Sequence, residues 1–89
     1  MKFSQQPGHI FARDANGKLL AEVTFPEREG VAVINHTFVD DSLRGQGVAG
    51  QLLQAVADTL RREGRKASPT CSYAVHWFAT HPEEQDLLV

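Results

Sequence analysis

A β-branched run, a basic glycine-rich turn and a long helical period follow one another between Val31 and Gly64. No other stretch restricts the fold as much. Val31-Ala32-Val33-Ile34-Asn35-His36-Thr37-Phe38-Val39 reads as one strand, because β-branched and aromatic residues fit a pleated surface. Arg44-Gly45-Gln46-Gly47-Val48-Ala49-Gly50 reads as a tight turn. After it, Val48, Leu52, Val56 and Leu60 recur every fourth position, with Ala49, Leu53 and Ala57 beside them. That spacing predicts a helix from about Gly47 to Glu63 with one buried stripe. Arg61 and Arg62 suit its negative end, and Gly64 suits the left-handed residue that stops it. A glycine turn feeding a helix N-terminus is an anion site in waiting. The first backbone N–H groups lack intrahelical partners, the dipole is positive there, and glycines let a phosphate come close.

The flanks supply the rest of the architecture. His9 to Arg13 is a short strand, and Asn16-Gly17 predicts a two-residue type I′ hairpin. From Lys18 to Phe25 the pattern alternates, with Leu19, Ala21, Val23 and Phe25 on one face and Leu20, Glu22 and Thr24 on the other. Pro26 to Gly30 reads as a polar turn, and residues 1–7 as an edge segment or arm. Arg65 to Ser68 is a strand closed by Pro69; a strand–helix–strand unit calls for a right-handed crossover, so it should run parallel to the third strand. Ser72 to Ala79 reads as a second helix ended by Pro82, with Tyr73, Ala74, Trp77 and Phe78 on its buried side. Leu87-Leu88-Val89 is an apolar tail that can dock on the core. The fold class is therefore α/β (α+β): three antiparallel strands, a parallel fourth, one long helix and one short C-terminal helix. All 89 residues form one domain with one core.

Composition narrows the partners. A net charge of −2 argues against nucleic acid. No apolar run reaches the roughly 18 residues of a membrane span, and no leader-like apolar segment follows Met1. A single cysteine allows no internal disulfide and fits a reducing, cytoplasmic setting. No metal is expected: His76 and His81 are poorly spaced to share an ion, and no Cys/Asp/Glu pattern joins them. Monomer and homodimer remain equally open.

Gly45, Gly47 and Gly50 spell G-x-G-x-x-G, but the dinucleotide fingerprint needs this turn after a first strand and an acidic residue about 20 positions later. Two strands precede it here, and the next strand ends in Ser68-Pro69. No Gly-Lys-Ser/Thr follows, which excludes a nucleotide P-loop. Read as Arg44-x-x-Gly47-x-Ala49, the turn resembles the acetyl-coenzyme A pyrophosphate loop of the GNAT N-acetyltransferase superfamily, whose pattern is Gln/Arg-x-x-Gly-x-Gly/Ala. The chain is similar throughout to the miniature YjdJ-type branch, from about residue 8 to 88. Asn35-His36-Thr37-Phe38-Val39, Pro69-Thr70-Cys71-Ser72-Tyr73 and His81-Pro82-Glu83 carry the likeness with the loop.

The resemblance implies acetyl-coenzyme A as cofactor, held by Arg44, Gly45, Gln46, Gly47, Val48 and Ala49. Its pantetheine arm would enter a splay between the strands ending at Val39 and Ser68. It implies acetyl transfer to a small amine or protein acceptor. A non-catalytic acyl-coenzyme A sensor or a protein-interaction domain are the rival readings. Cys71 stands just before or within the first turn of the second helix, where a helix N-terminus favours thiolate, the nucleophilic form. It can take the acetyl group, reprotonate the leaving thiolate, or simply pack as a small hydrophobe. Tyr73 is the rival acid or a core aromatic. His36 or its neighbour Asn35, pointing to opposite faces, can orient a water or act as base; a structural histidine is the plainer alternative. Arg61, Arg62, Arg65 and Lys66 form either a solvated face, a contact for the adenosine 3′-phosphate, or a surface for an acidic partner.

Overall fold

The computed structural model describes residues 1–89. Ser4–Gln6 (β1), His9–Arg13 (β2), Leu19–Thr24 (β3) and His36–Val39 (β6) form an antiparallel sheet in the order β1-β2-β3-β6. Glu27–Arg28 (β4), Val31–Ile34 (β5) and Lys66–Pro69 (β7) form a second sheet in the order β4-β5-β7. Helix α1 spans Val48–Glu63 and α2 spans Ser72–Ala79. The chain closes with a 3-10 helix over Pro82–Leu87.

The helix forms where the apolar period places it. Val48, Leu52, Val56 and Leu60 are buried, as are Leu53, Ala57 and Thr59. They pack against Ile10, Ala21, Val23 and Phe25 from the sheet and against Ala74, Trp77 and Phe78 from α2. Gly64 ends α1 with φ 65°, its N–H donating to the carbonyls of Arg61 and Leu60. β7 runs parallel to β5, pairing Val31 with Lys66 and Ile34 with Pro69, as the crossover rule requires. Leu87 is buried, and the Val89 N–H donates to the Ala67 carbonyl at 3.1 Å, so the tail docks on β7.

Three local expectations are corrected. Asn16-Gly17 does not make a type I′ hairpin, since only Gly17 has positive φ. The Asp14 carboxylate accepts the N–H groups of Asn16 and Lys18, which holds a longer turn instead. The two-residue hairpin occurs at Glu29-Gly30, with φ 53° and 81°, between β4 and β5. Pro26 to Gly30 is thus not only a polar turn. Finally, the run Val31 to Val39 is two strands. It breaks at Asn35: β5 turns to β7, and β6 turns to β3.

Candidate active site

The break at Asn35 creates a slot. The Ile34 carbonyl accepts from both the Thr70 and Cys71 N–H groups, at 2.9 and 3.2 Å, and β5 and β7 stay together only to that point. The Asn35 side chain accepts from the Thr24 hydroxyl at 2.5 Å, which fixes the corner. Beyond it, β6 follows β3 and leaves β7. The Asp40 N–H donates to the Leu20 carbonyl at 2.7 Å, and this sets the phase of the β3–β6 ladder. N–H groups alternate along a strand, so those of His36 and Phe38 face β3, and those of Thr37 and Val39 face the slot. On the far wall, the Cys71 Sγ lies 3.5 Å from the Thr37 Oγ1. Cys71 is the N-cap of α2, half-buried, with extended backbone and no side-chain capping bond.

The glycine turn stands at the end of β6. Asp40 anchors its entry, accepting from the Ser42 N–H and hydroxyl at 3.0 and 2.6 Å. The hydroxyl bond, above all, holds the Asp40 carboxyl below its ordinary range. A 3-10 turn over Asp41–Leu43 follows. Gly45 and Gly47 then adopt φ 79° and 71°, and nothing lies within 4 Å of where a Cβ would sit on either. Gly47 is the N-cap of α1 and offers no side chain, and the first turn carries no carboxylate. The opening amides of α1 are therefore left free beside an open cradle that a side chain would fill. Val39, Leu43, Arg44, Val48 and Tyr73 line the adjoining groove, about 210 Å³ in volume. Arg44 is exposed and pairs with Asp41 at 2.9 Å, so it stands at the rim rather than alone in solvent.

Tyr73 is not part of the α2 core. It is 37% exposed, and its hydroxyl is the near neighbour of Gly50 across the groove. The i,i+4 spacing with Trp77 misplaces it because the first turn of α2 looks toward α1, not inward. Partial burial pushes the phenol pKa up, so the group stays protonated and able to donate. His36 projects on the sheet face opposite α1, and its Nε2 lies 3.1 Å from the Glu22 Oε2. Asn35 does not oppose it on a common strand, since Asn35 is the corner.

The structure separates the basic cluster from the site. Arg61 pairs with Glu84 at 2.7 Å and with Asp86 at 2.8 Å. Arg65 pairs with Glu63, and the Lys66 Nζ donates to the Asp86 carbonyl. These groups surround the C-terminal end of a 16-residue helix, about 24 Å from the glycine cradle, and Arg61 and Lys66 hold the C-terminal segment in place. What the sequence reading missed is the neighbourhood of Gly50 and the Tyr73 hydroxyl across the groove. It also missed Glu22 on β3, whose imidazole partner His9 stands on the neighbouring strand β2. The alternation of β3 marks Glu22 as outward-facing, and that was the one signal available.

Against this geometry the comparisons are specific. The family model described as GCN5-related N-acetyl-transferase matches residues 9–87. A GCN5-like protein from Staphylococcus aureus, solved in solution, is 31% identical, with 99% of this chain and 87% of that one covered, at a TM-score of 0.81. The acetyltransferase YhbS from Escherichia coli, solved in complex with CoA, is 23% identical over 85% of this chain and 43% of that one, at a TM-score of 0.63. A ribosomal-protein-alanine N-acetyltransferase from Brucella melitensis is 23% identical over 70% of this chain and 48% of that one, at 0.58. These two share the fold, and the chain spans about half of their length. No curated protein sequence matches the chain.

Proposed function

The chain belongs to the GCN5-related N-acetyltransferase family, and on that premise we propose that it binds acetyl-coenzyme A and passes the acetyl group to an amine. The observation that carries the reading is the uncapped start of α1 behind two positive-φ glycines, opening into the groove beside the slot. Gly45, Gly47, Val48 and Ala49 would hold the pyrophosphate through backbone N–H groups, with Gln46, whose N–H donates to the Leu43 carbonyl at 3.3 Å, shaping the turn and Arg44 at the rim. Val39, on the β6 wall of the slot, would receive the pantetheine arm. The bound thioester supplies an acetyl group activated toward nucleophiles. In the slot, the N–H groups of Thr37 and Val39 would hold a developing oxyanion. The Tyr73 hydroxyl, kept protonated, would return a proton to the leaving sulfur. Cys71 stands across the slot at the same depth as Thr37, where its thiol can serve as a transient acyl carrier.

Calorimetry tests the cofactor claim. Wild-type protein should bind acetyl-coenzyme A, and Gly47→Glu should not, because it adds a Cβ, an unfavourable backbone conformation and a like charge. Unchanged affinity in a folded Gly47→Glu variant refutes the reading. Alkylation tests Cys71: acetyl-coenzyme A should protect it, and incubation should leave a hydroxylamine-labile acetyl mass on it. A thiol that alkylates no differently with the cofactor present, together with full turnover in Cys71→Ala, assigns Cys71 to packing.

A further inference from the structure

A cavity of about 280 Å³, larger than the groove beside the glycine turn, opens toward the other end of α1. Thr59 on its wall stands about 18 Å along the helix from Gly47. Pro7-Gly8, the turn between β1 and β2, forms one rim. Proline followed by a glycine at φ 71° fits a type II turn, which holds this rim in one shape. The Gly8 carbonyl accepts from the Phe25 N–H at 2.8 Å, and Phe25 supplies an apolar lining.

The opposite wall carries donors that the fold does not use. Thr59 is 3% exposed, and its hydroxyl accepts from the Gln5 Nε2 at 2.9 Å and from the Arg62 Nη2 at 3.4 Å. A hydroxyl has two lone pairs and one proton, so with both pairs taken it still has the proton to give. Arg65 makes one close hydrogen bond, from Nη1 to the Glu63 Oε1 at 2.9 Å, while its Nη2 lies 3.4 Å from the Glu27 carboxylate. Its Nε is buried without a hydrogen-bond partner. Buried donors in native proteins are nearly always paired, so these two call for an acceptor.

Charge decides which acceptor. Glu27 and Glu63 offset Arg62 and Arg65, and the C-terminal end of α1 adds negative potential. A carboxylate or phosphate would meet net repulsion there, whereas a neutral carbonyl would not. Arg65 takes only the Oε1 of Glu63, which leaves the Oε2 to accept from an N–H. We propose that this cavity binds a neutral primary carboxamide carried on a small apolar ring. The carbonyl oxygen accepts from the Arg65 Nε and the Thr59 hydroxyl, the amide nitrogen donates to Glu63, and the ring lies against Phe25 and Pro7. The Arg65 side chain is 24% exposed and tied closely only through Nη1, so it can turn its Nε into the cavity.

Side-chain nitrogen-15 NMR tests this with two probes of one shape, benzamide and benzoate. Benzamide should shift the Arg65 Nε–H signal and the backbone amides of Gly8 and Thr59 to saturation, and leave those of Gly47 and Val48 in place. Benzoate, which brings a negative charge, should bind about tenfold more weakly. Arg65→Lys keeps the charge and removes the Nε donor, and Thr59→Val keeps the shape and removes the hydroxyl. Each should weaken benzamide binding about tenfold, read at the Gly8 amide in a protein whose remaining spectrum shows it folded. The proposal is overturned if benzamide gives no saturable shift, if benzoate binds as tightly, or if either variant binds benzamide as the wild type does. The wild-type Arg65 signal decides the matter even where a variant does not fold.

Discussion

Glu84 is a carboxylate with only 11% of its side chain exposed, and it keeps its charge because two donors reach it. The Gln54 amide donates at 2.8 Å and the Arg61 guanidinium at 2.7 Å, and they hold the carboxyl below its ordinary value of about 4.5, the amide contributing most. A depressed carboxylate stabilises the fold at pH above its unfolded value and ceases to do so as the pH falls through the folded one. Glu84→Gln should therefore cost about 1–2 kcal/mol at neutral pH. The difference from wild type should shrink below pH 4.5 and close once Glu84 is protonated. Urea midpoints taken across the acid range measure this, and a gap that persists in acid contradicts it. Tyr73 gives the matching prediction for chemistry. Removal of a proton donor that touches only the reaction should lower kcat about 10²-fold and leave cofactor affinity nearly intact. Steady-state rates and calorimetry on Tyr73→Phe would show it, and equal losses in both would mean the hydroxyl binds rather than reacts.

Helix α1 is the element on which core and site both depend, since its buried stripe fixes the orientation of its first turn. Leu52 is fully buried between the sheet and α2, so Leu52→Ala should cost about 2–5 kcal/mol, read from urea denaturation. A loss under about 0.5 kcal/mol would mean that the helix packs by another face. This element was legible because period and punctuation agree: Val48, Leu52, Val56 and Leu60 mark the stripe, and Gly47 and Gly64 mark its ends. The Asn35 corner was not legible. Val31 to Val39 has uniform strand propensity, and nothing local says that its halves choose different partners. That choice is tertiary, made by Ile34 meeting Thr70 and Cys71. Tyr73 failed for a related reason, as helical spacing gives neighbours on a helix but not the direction the helix faces. The hairpin was assigned to Asn16-Gly17 because Asn tolerates positive φ better than Glu. Asp14, with two backbone donors to satisfy, selected another turn.

Taken whole, the molecule joins two small sheets by one helix, and a ligand at the start of that helix should be felt throughout. Acetyl-coenzyme A at about 100 times its dissociation constant should add about 2.7 kcal/mol to the unfolding free energy. For a domain of this size that corresponds to a rise in Tm of about 10 °C or more. Differential scanning calorimetry would measure it, and Gly47→Glu should abolish the shift. The corner at Asn35 has one more consequence, visible on the time axis of amide exchange. Val33 donates to the Pro26 carbonyl at 2.8 Å inside a paired sheet, whereas Thr37 and Val39, a few residues on, aim their amides at an open slot. In deuterated solvent the ligand-free protein should therefore lose protons from a single run of chain at two rates. Val33 should be slow and Thr37 and Val39 fast, while Phe38 between them, paired with β3, stays slow.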